Sequence, residues 1–152
     1  MSITIAAERP DSPEAIELIG ELESYLEPLY PAQSRHGYSV EKLLREQVAF
    51  FLVRHDGMAA ACGGIQLVGT EYGEIKRMYV RPEFRRLGLG MLMLNHLEAH
   101  ARSHRLKLLR LETGIYQTEA IALYERFGFV RIAPFASYWG DPFSRFYEKR
   151  IA

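Results

Sequence analysis

The chain has little of several things that would narrow its class. Its single cysteine, Cys62, excludes an intrachain disulfide and fits a reducing compartment. Its 19 basic and 19 acidic residues give zero net charge, which argues against a nucleic-acid binder because neutralising phosphates needs a basic excess. No apolar run approaches a membrane span, and the first ten residues lack a basic segment followed by an apolar core. We therefore expect a cytoplasmic enzyme or binding domain with neither nucleic acid nor membrane as partner.

The sequence also lacks the signatures of a metal protein. His96, His100 and His104 recur at helical spacing and would share one face of a helix. However, no HExxH motif is present, and no carboxylate or thiolate is spaced to complete a site. We expect a solvated helix face at these positions and no metal cofactor.

The composition is ordinary for a soluble globular protein, with 48% hydrophobic and 25% charged residues. A chain of 152 residues can bury about two-thirds of its unfolded surface without metals or disulfides. No repeat, low-complexity segment or linker divides it. Residues 1–152 are therefore expected to form a single domain.

Hydrophobic periodicity and turn residues predict the element order β-α-α-β-β-β-α-β-α-β-β. The predicted strands are residues 2–8, 48–54, 59–68, 74–80, 107–113, 129–135 and 144–150. Helices are expected from Pro13 with a stripe that includes Ile16, after a Ser39 cap, from Leu87, and over residues 119–127 with Gly128 as the stop. This order predicts a mixed sheet flanked by helices.

The most informative stretch runs from residue 74 to residue 104, where a strand leads through R-R-L-G-L-G into a long helix. Gly88 and Gly90 lack a Cβ, so the backbone can approach a ligand while the first helical N–H groups stay unpaired. Those donors, together with Arg85 and Arg86, suit a phosphate or pyrophosphate. The third glycine of GxGxxG and the Lys-Ser/Thr of a P-loop are missing. The alternative is an ordinary helix N-terminus.

Three motifs, in this order, resemble the GNAT superfamily of acetyl-CoA-dependent N-acetyltransferases. They are strand, RxxGxG and helix at residues 74–104, LETG at 111–114, and AxxxYxxxGF at 120–129. The resemblance implies an α/β fold of the α+β type, with a mixed, mostly antiparallel sheet of about seven strands and about four helices. It also implies acetyl-CoA as cosubstrate and a primary amine of a small molecule or peptide as acceptor.

Matched position by position, the resemblance implies a cofactor site. The backbone of Met78, Tyr79 and Val80 would pair with the pantetheine arm as an added strand. The loop and helix start would hold the phosphates: Arg85, Arg86, Leu87, Gly88, Leu89, Gly90 and Met91. Gln117 replaces an asparagine that often contacts the cofactor, which leaves that contact open. Tyr124 matches the tyrosine that protonates the departing thiolate.

The chemistry makes the same demands, because a protonated amine cannot attack a thioester until a base removes its proton. Glu74 lies eleven residues before Arg85, as does the glutamate base of some relatives, so we expect Glu74 and Tyr124 to be catalytic. The alternative is structural: Glu74 pairs with Lys76 or Arg77 on the sheet surface, and Tyr124 packs.

The acceptor side is less constrained by the sequence. The segment 134–150 resembles a bacterial GNAT subgroup, some of whose members carry an indole-acetate acetyltransferase label. This chain departs from that subgroup in the expected acceptor loop, so the resemblance implies no substrate. We expect an aromatic wall opposite Arg35 and His36, formed by Phe135, Tyr138, Trp139 and Phe143. Sheet packing or a homodimer contact is the alternative.

Two other functions are compatible with the same residues. A non-catalytic acyl-CoA sensor would bind the cofactor and turn nothing over. A ping-pong enzyme would be acetylated on Cys62, although no His and carboxylate are visibly arranged to activate that thiol and a core role is expected for it.

Overall fold

Seven strands form one sheet in a computed structural model that describes residues 2–152. They are β1 Ile3–Ala7, β2 Ala49–His55, β3 Met58–Val68, β4 Tyr72–Val80, β5 Leu108–Gly114, β6 Val130–Ile132 and β7 Ser144–Arg150. Their spatial order is β1-β2-β3-β4-β5-β7-β6. Within residues 2–152 every neighbouring pair is antiparallel except β4 and β5. The expected mostly antiparallel seven-stranded sheet is confirmed.

Four α-helices flank this sheet in the described part of the chain. They are α1 Pro13–Leu26, α2 Val40–Arg45, α3 Leu89–Ser103 and α4 Thr118–Phe127. Short 3-10 turns occupy Ala32–Ser34 and Pro82–Phe84. The order of helices and strands is the predicted one. No helix within residues 2–152 is both long and apolar enough to cross a membrane.

Local chemistry explains where these helices begin and end. The Ser12 hydroxyl accepts a hydrogen bond from the Ala15 N–H at 3.1 Å, and Ser39 caps α2 in the same way. Pro13 takes the first helical position, where its missing N–H costs nothing. Gly128 ends α4 in the left-handed conformation, with φ +108°.

The sheet separates two apolar layers. Helices α3 and α4 cover one face, where Leu94 and Leu97 of α3 join Ile75 and Leu109 of the sheet in one buried cluster. Helices α1 and α2 cover the other face, where Leu18, Leu43, Leu52 and Cys62 are buried together. Residues that alternate along a strand therefore point to opposite layers, and this decides which side chains can reach a common site.

Three details of the sequence prediction are wrong. Ile16 is 49% exposed, and Ala15 takes its place on the buried face of α1. Of the expected strand at 129–135, only β6 is extended in the sheet, because the chain turns away after Ile132. His96 and His100 do not form a solvated face, since their rings lie edge-on to Phe51 of β2, at centroid distances of 4.5 and 5.6 Å.

The pairing of β4 creates the opening on which the site depends. Strands β4 and β5 pair only through Gly73 with Leu109 and Glu74 with Arg110 among the described residues. Beyond Glu74 the β4 edge that faces β5 is unpaired, whereas its other edge continues along β3 to Val80. Such an edge presents free backbone N–H and C=O groups that an extended ligand can pair with.

A β-bulge lies within this unpaired stretch of β4. Arg77 and Met78 together oppose the single residue Gly63 of β3, and Arg77 has φ +53°. A bulge bends its strand and redirects side chains. Here Arg77 turns toward α1, where its guanidinium pairs with Glu23, while the Met78 side chain packs near Gly63 on the α3 side.

Candidate active site

A groove of about 730 Å³ lies between the end of β4, the start of α3 and the first turns of α4. Its wall includes all the predicted cofactor residues except Leu87: Met78, Tyr79, Val80, Arg85, Arg86, Gly88, Leu89, Gly90, Met91, Gln117 and Tyr124. Leu87 is 46% exposed and points away from the groove wall. The structure therefore brings together residues that are spread over 47 sequence positions, from 78 to 124.

The start of α3 presents unpaired backbone donors to this groove. Gly88 is the N-cap, with φ +77°, and the Leu92 N–H donates to its carbonyl at 3.0 Å. The N–H groups of Leu89, Gly90 and Met91 precede that bond and have no intrahelical acceptor. A Cβ on Gly90 would lie 2.6 Å from Leu123, so this glycine allows α4 to approach α3.

Cations line the groove, and most of their hydrogen-bonding capacity is free. Within residues 2–152, Arg86 and Arg126 form no ion pair. Arg85 forms only a long one, in which its guanidinium lies 3.8 Å from the carboxylate of exposed Glu119. By contrast, Arg81 lies just beyond β4 and is fully engaged with Glu17 and Glu21 of α1. Arg126 was missed from the sequence because it lies on α4, well outside the glycine-rich motif.

A second, smaller cavity of about 80 Å³ lies between β4 and β5, beneath the loop that joins α1 to α2. It shares four lining residues with the groove: Leu22, Met78, Gln117 and Tyr124. The two cavities therefore adjoin at these four residues, and Tyr124 is part of the wall of both.

The Tyr124 side chain lies at this junction and is buried. It is 6% exposed, and its hydroxyl makes no hydrogen bond with any residue in 2–152. Burial, reinforced by the charge of Glu112, raises the pKa of Tyr124 above its ordinary value. The phenol thus keeps its proton at neutral pH and has a free O–H to donate.

Gln117 is held at the entrance to α4 by a local exchange of hydrogen bonds. Its side-chain oxygen accepts from the Gly114 N–H at 3.0 Å, and its own N–H donates to the Gly114 carbonyl at 3.1 Å. These bonds fix the turn between β5 and α4, so Gln117 shapes the passage between the two cavities.

Glu74 lies elsewhere. Its carboxylate is 2.7 Å from the Lys76 Nζ and accepts a 2.5 Å hydrogen bond from the Tyr138 hydroxyl. It is 5% exposed and lines neither cavity. The alternative interpretation, an ion pair with Lys76, is what the structure shows, although the pair is buried rather than on the sheet surface. The geometry does not favour Glu74 as the base.

Glu112 is the carboxylate that lines the small cavity, and sequence reasoning missed it. The Ser144 hydroxyl donates to its Oε2 at 2.7 Å, while Oε1 has no partner among residues 2–152. Burial raises the pKa of Glu112. Alternation along β5 places Glu112 on the face opposite Leu111, but it does not indicate which carboxylate of the chain borders a cavity.

Of the four predicted acceptor residues, the structure brings Arg35 and His36 to the small cavity. His36 Nε2 lies 2.9 Å from Asp141 Oδ2. Tyr138 and Trp139 line neither cavity, because the Tyr138 hydroxyl is held by the Glu74–Lys76 pair and Trp139 is 51% exposed.

The expected aromatic wall is therefore not assembled at the cavity, and a different aromatic residue is present. Phe135 packs edge-on against Tyr72, in a buried cluster that also includes Phe146. Tyr30 lines the cavity, and its hydroxyl accepts from the Tyr116 N–H at 2.9 Å. A Cβ on Gly114 would lie 2.1 Å from the Tyr30 hydroxyl, so the glycine of LETG makes room for this ring.

Cys62 is a core residue. It is fully buried, lines neither cavity and donates its S–H to the Arg77 carbonyl at 3.3 Å. Burial raises the pKa of its thiol to about 12, so almost none of it is the nucleophilic thiolate at neutral pH. Within residues 2–152, no group of three or more His, Cys, Asp or Glu residues is arranged to hold a metal ion.

The open β4–β5 edge beside the N-terminus of α3 is the arrangement that the sequence motifs predict for an acyl-CoA-dependent transferase. The chain belongs to the acetyltransferase (GNAT) family, whose model matches residues 14–129. This is the family indicated by the sequence motifs, and the protein is an acetyltransferase.

Individual relatives agree with this assignment. The chain is 42% identical over 152 residues to an IAA acetyltransferase of Azospirillum brasilense, covering 99% of each chain. A Klebsiella pneumoniae structure provisionally named an acyl-CoA N-acyltransferase is 39% identical, with TM-score 0.83 and 97% coverage of both chains. The PaiA N-acetyltransferase of Thermoplasma acidophilum, solved in complex with coenzyme A, shares the fold at 21% identity, with TM-score 0.79 over 99% of this chain and 100% of that one.

Proposed function

We propose that the protein transfers the acetyl group of acetyl-CoA to a primary amine of a small molecule or peptide by direct attack in a ternary complex. The observation that carries this proposal is the meeting of the cofactor groove and the small cavity at Tyr124, whose hydroxyl has no partner in residues 2–152. Two cavities that meet can hold donor and acceptor together, so the protein needs no acetylated intermediate.

The groove supplies the contacts that a CoA thioester requires. The unpaired β4 edge from Met78 to Val80 offers backbone groups to the amides of the pantetheine arm. The N–H groups at the start of α3, together with Arg85 and Arg86, suit the pyrophosphate. Arg126 faces the same groove from α4 and suits a further phosphate.

Glu112 is the proposed base. The incoming amine is an ammonium ion at neutral pH, and a carboxylate in the small cavity both attracts it and accepts its proton. Because burial raises the pKa of Glu112, this carboxylate is a stronger base than an ordinary glutamate and accepts the ammonium proton more readily. The Glu74 carboxylate has no comparable access.

Tyr124 completes the proton balance. As the amine nitrogen forms its bond to the acetyl carbon, the carbon–sulfur bond breaks and the electron pair stays on sulfur. The Tyr124 hydroxyl then gives its proton to that sulfur. The nitrogen loses a second proton as the amide forms, and this proton restores the Tyr124 phenol through solvent, while the proton taken by Glu112 is released. Each proton-transfer group of this kind contributes on the order of 10²–10⁴ in rate.

The alternative function is a non-catalytic acyl-CoA sensor. It is less well supported because a sensor needs no second cavity with a carboxylate beside the tyrosine. The Azospirillum relative is named for acetyl transfer to IAA, which supports catalysis in this subgroup.

Thiol release from acetyl-CoA, measured across a panel of primary amines, tests the proposal. We expect release that depends on the amine, with the acetylated amine identified by mass spectrometry. The matched control is acetyl-CoA without amine. Tight binding of CoA with no amine-dependent release would identify a sensor and contradict the proposal.

A further inference from the structure

We propose that the acceptor is an amine that also bears a carboxylate, as a free amino acid does, and that Arg35 binds this carboxylate. The inference rests on the proposed function, because it assigns the substrate class of the small cavity. Arg35 lines that cavity, and the chemistry around it is specific to an anion.

In residues 2–152, Arg35 carries the one side-chain nitrogen or oxygen that is buried and has no hydrogen-bond partner. Its Nε is closed off from solvent and has no hydrogen-bond partner, and its guanidinium pairs with no carboxylate in residues 2–152. The neighbouring cations differ in this respect: Lys76 pairs with Glu74, and Arg77 pairs with Glu23.

An unsatisfied buried donor is costly, and it is more costly when the group carries charge. Folded proteins keep few such groups, so each needs an explanation. Arg35 lines the small cavity, so an anionic ligand bound there can pair with its guanidinium. A carboxylate fits best, because the planar guanidinium offers two parallel N–H groups that match its two oxygens.

The loop that carries Arg35 is held in place by Asp141. This carboxylate contacts His36 Nε2 at 2.9 Å and accepts from the Phe143 N–H at 2.9 Å. Burial alone would raise the pKa of Asp141, but hydrogen bonds from Phe143, His36 and Ser34 outweigh it and lower the pKa. The residues on both sides of Arg35 are thus anchored. The Arg35 guanidinium pairs with no carboxylate in residues 2–152, so it is available to bind a ligand.

The opposite charge lies in the same cavity. Glu112 has one free carboxylate oxygen and suits the ammonium end of the acceptor. The cavity therefore pairs a cation with an anion, which matches the two ends of a zwitterion. Its volume of about 80 Å³ also favours a small molecule over a folded protein surface. A peptide N-terminus lacks the carboxylate, since an uncharged amide replaces it.

The test uses the wild-type enzyme and matched acceptors. Each of the common amino acids is supplied as the free acid and as its carboxamide, and kcat/KM is measured by thiol release. The two forms share the amine and differ in the carboxylate. For the best acceptor, we expect the free acid to exceed the carboxamide by about 100-fold, as for loss of one partner of a buried, hydrogen-bonded charge pair.

Arg35→Met, which keeps the length and removes the charge, should lower kcat/KM for the acid about 100-fold and abolish the preference for the acid over the amide. Arg35→Lys should retain part of the preference for the acid, because it keeps the positive charge. Arg131→Met, on exposed β6, is the matched control and should change nothing. Because Arg35 has no partner in the free protein, Arg35→Met should not lower Tm, whereas Arg77→Met should.

The outcomes separate the two proposals. Amides acetylated as well as acids, or a preference for acids that survives Arg35→Met, would overturn the role of Arg35 and leave the proposed amine acetylation intact. No turnover with any amine would overturn both, because the inference depends on that reaction. The comparison of acid with amide in wild-type enzyme holds even if an Arg35 variant fails to fold.

Discussion

Two polar clusters are built on the neighbouring strands β4 and β5, and they differ in how well their hydrogen bonds are satisfied. In the first, Glu74, Lys76 and Tyr138 use one another, and Lys76 also lies over the Tyr38 ring at 3.9 Å. In the second, Glu112 and Arg35 line a cavity, and each retains an atom without a hydrogen-bond partner in residues 2–152. The first cluster is complete without a ligand, whereas the second is not.

The same contrast separates the arginines. Arg81 is bound by two glutamates of α1, whereas Arg86 and Arg126 face the groove without an ion pair in residues 2–152. A charged group with all its partners supplied by the fold stabilises the fold, and a group without them is available to a ligand. Unsatisfied capacity beside a cavity therefore identifies the site better than charge alone.

The largest change in activity is expected from substituting one of the two glutamates. Glu112→Gln should lower kcat by about 10³-fold, because it removes the base while keeping the shape. Glu74→Gln should leave kcat close to wild type and instead lower Tm, since buried Lys76 loses its counter-charge. Steady-state kinetics and thermal melting on both variants measure this. The opposite pattern would return the catalytic role to Glu74.

The pH dependence sharpens the same assignment. Because the pKa of Glu112 is raised by burial, its base form is lost at a higher pH than for an ordinary glutamate, whose pKa is about 4.5. In wild-type enzyme, kcat/KM should fall on the acid side above that value. An acid limb at or below it would show that the base is an exposed carboxylate.

Tyr124→Phe should have the next largest effect. We expect kcat to fall about 10²-fold with little change in the Kd of CoA, because the ring still fills its place while the proton donor is gone. Tyr138→Phe is the matched control, since its hydroxyl belongs to the satisfied cluster and lies outside both cavities. Unchanged turnover in Tyr124→Phe would remove this residue from the mechanism.

The groove arginines should have a smaller effect, on binding alone. Arg86→Ala and Arg126→Ala should each raise the Kd of CoA about tenfold at low salt, and less at high salt because screening weakens the contacts. Arg131→Ala, on the exposed face of β6, provides the control. Calorimetric titration at two salt concentrations checks the prediction, and salt-independent loss would point to altered structure.

The smallest effect is expected for Cys62→Ala. The thiol is buried, protonated and lines neither cavity, so kcat should not change, while stability should fall by about 1 kcal/mol from the lost packing. Loss of acetyl transfer in a folded Cys62→Ala protein would support the ping-pong mechanism instead.

Much of this arrangement could be predicted from sequence because it depends on local patterns. Strand alternation, Pro13, the Ser39 cap and the Gly128 stop predicted the element order, and the RxxGxG stretch indicated the groove. These signals need no knowledge of contacts between distant segments.

The carboxylate proposed as the base could not be chosen in this way. Glu74 and Glu112 both lie on strands, and the difference between them comes from partners 64 and 32 positions away, Tyr138 and Ser144. The same holds for Tyr138, whose place in a hydrogen-bonded network depends on how the β6–β7 connection packs. Long-range packing decides which polar groups are left free, and periodicity carries no information on it.

The most direct test of the central claim is a crystal structure with CoA bound, in which the distance from its sulfur to the Tyr124 hydroxyl is measured. The account predicts that the pantetheine arm pairs with the free β4 edge and that the sulfur lies about 3.5 Å from this oxygen. A sulfur located away from the junction of the two cavities, or CoA bound outside the β4–β5 opening, would contradict it.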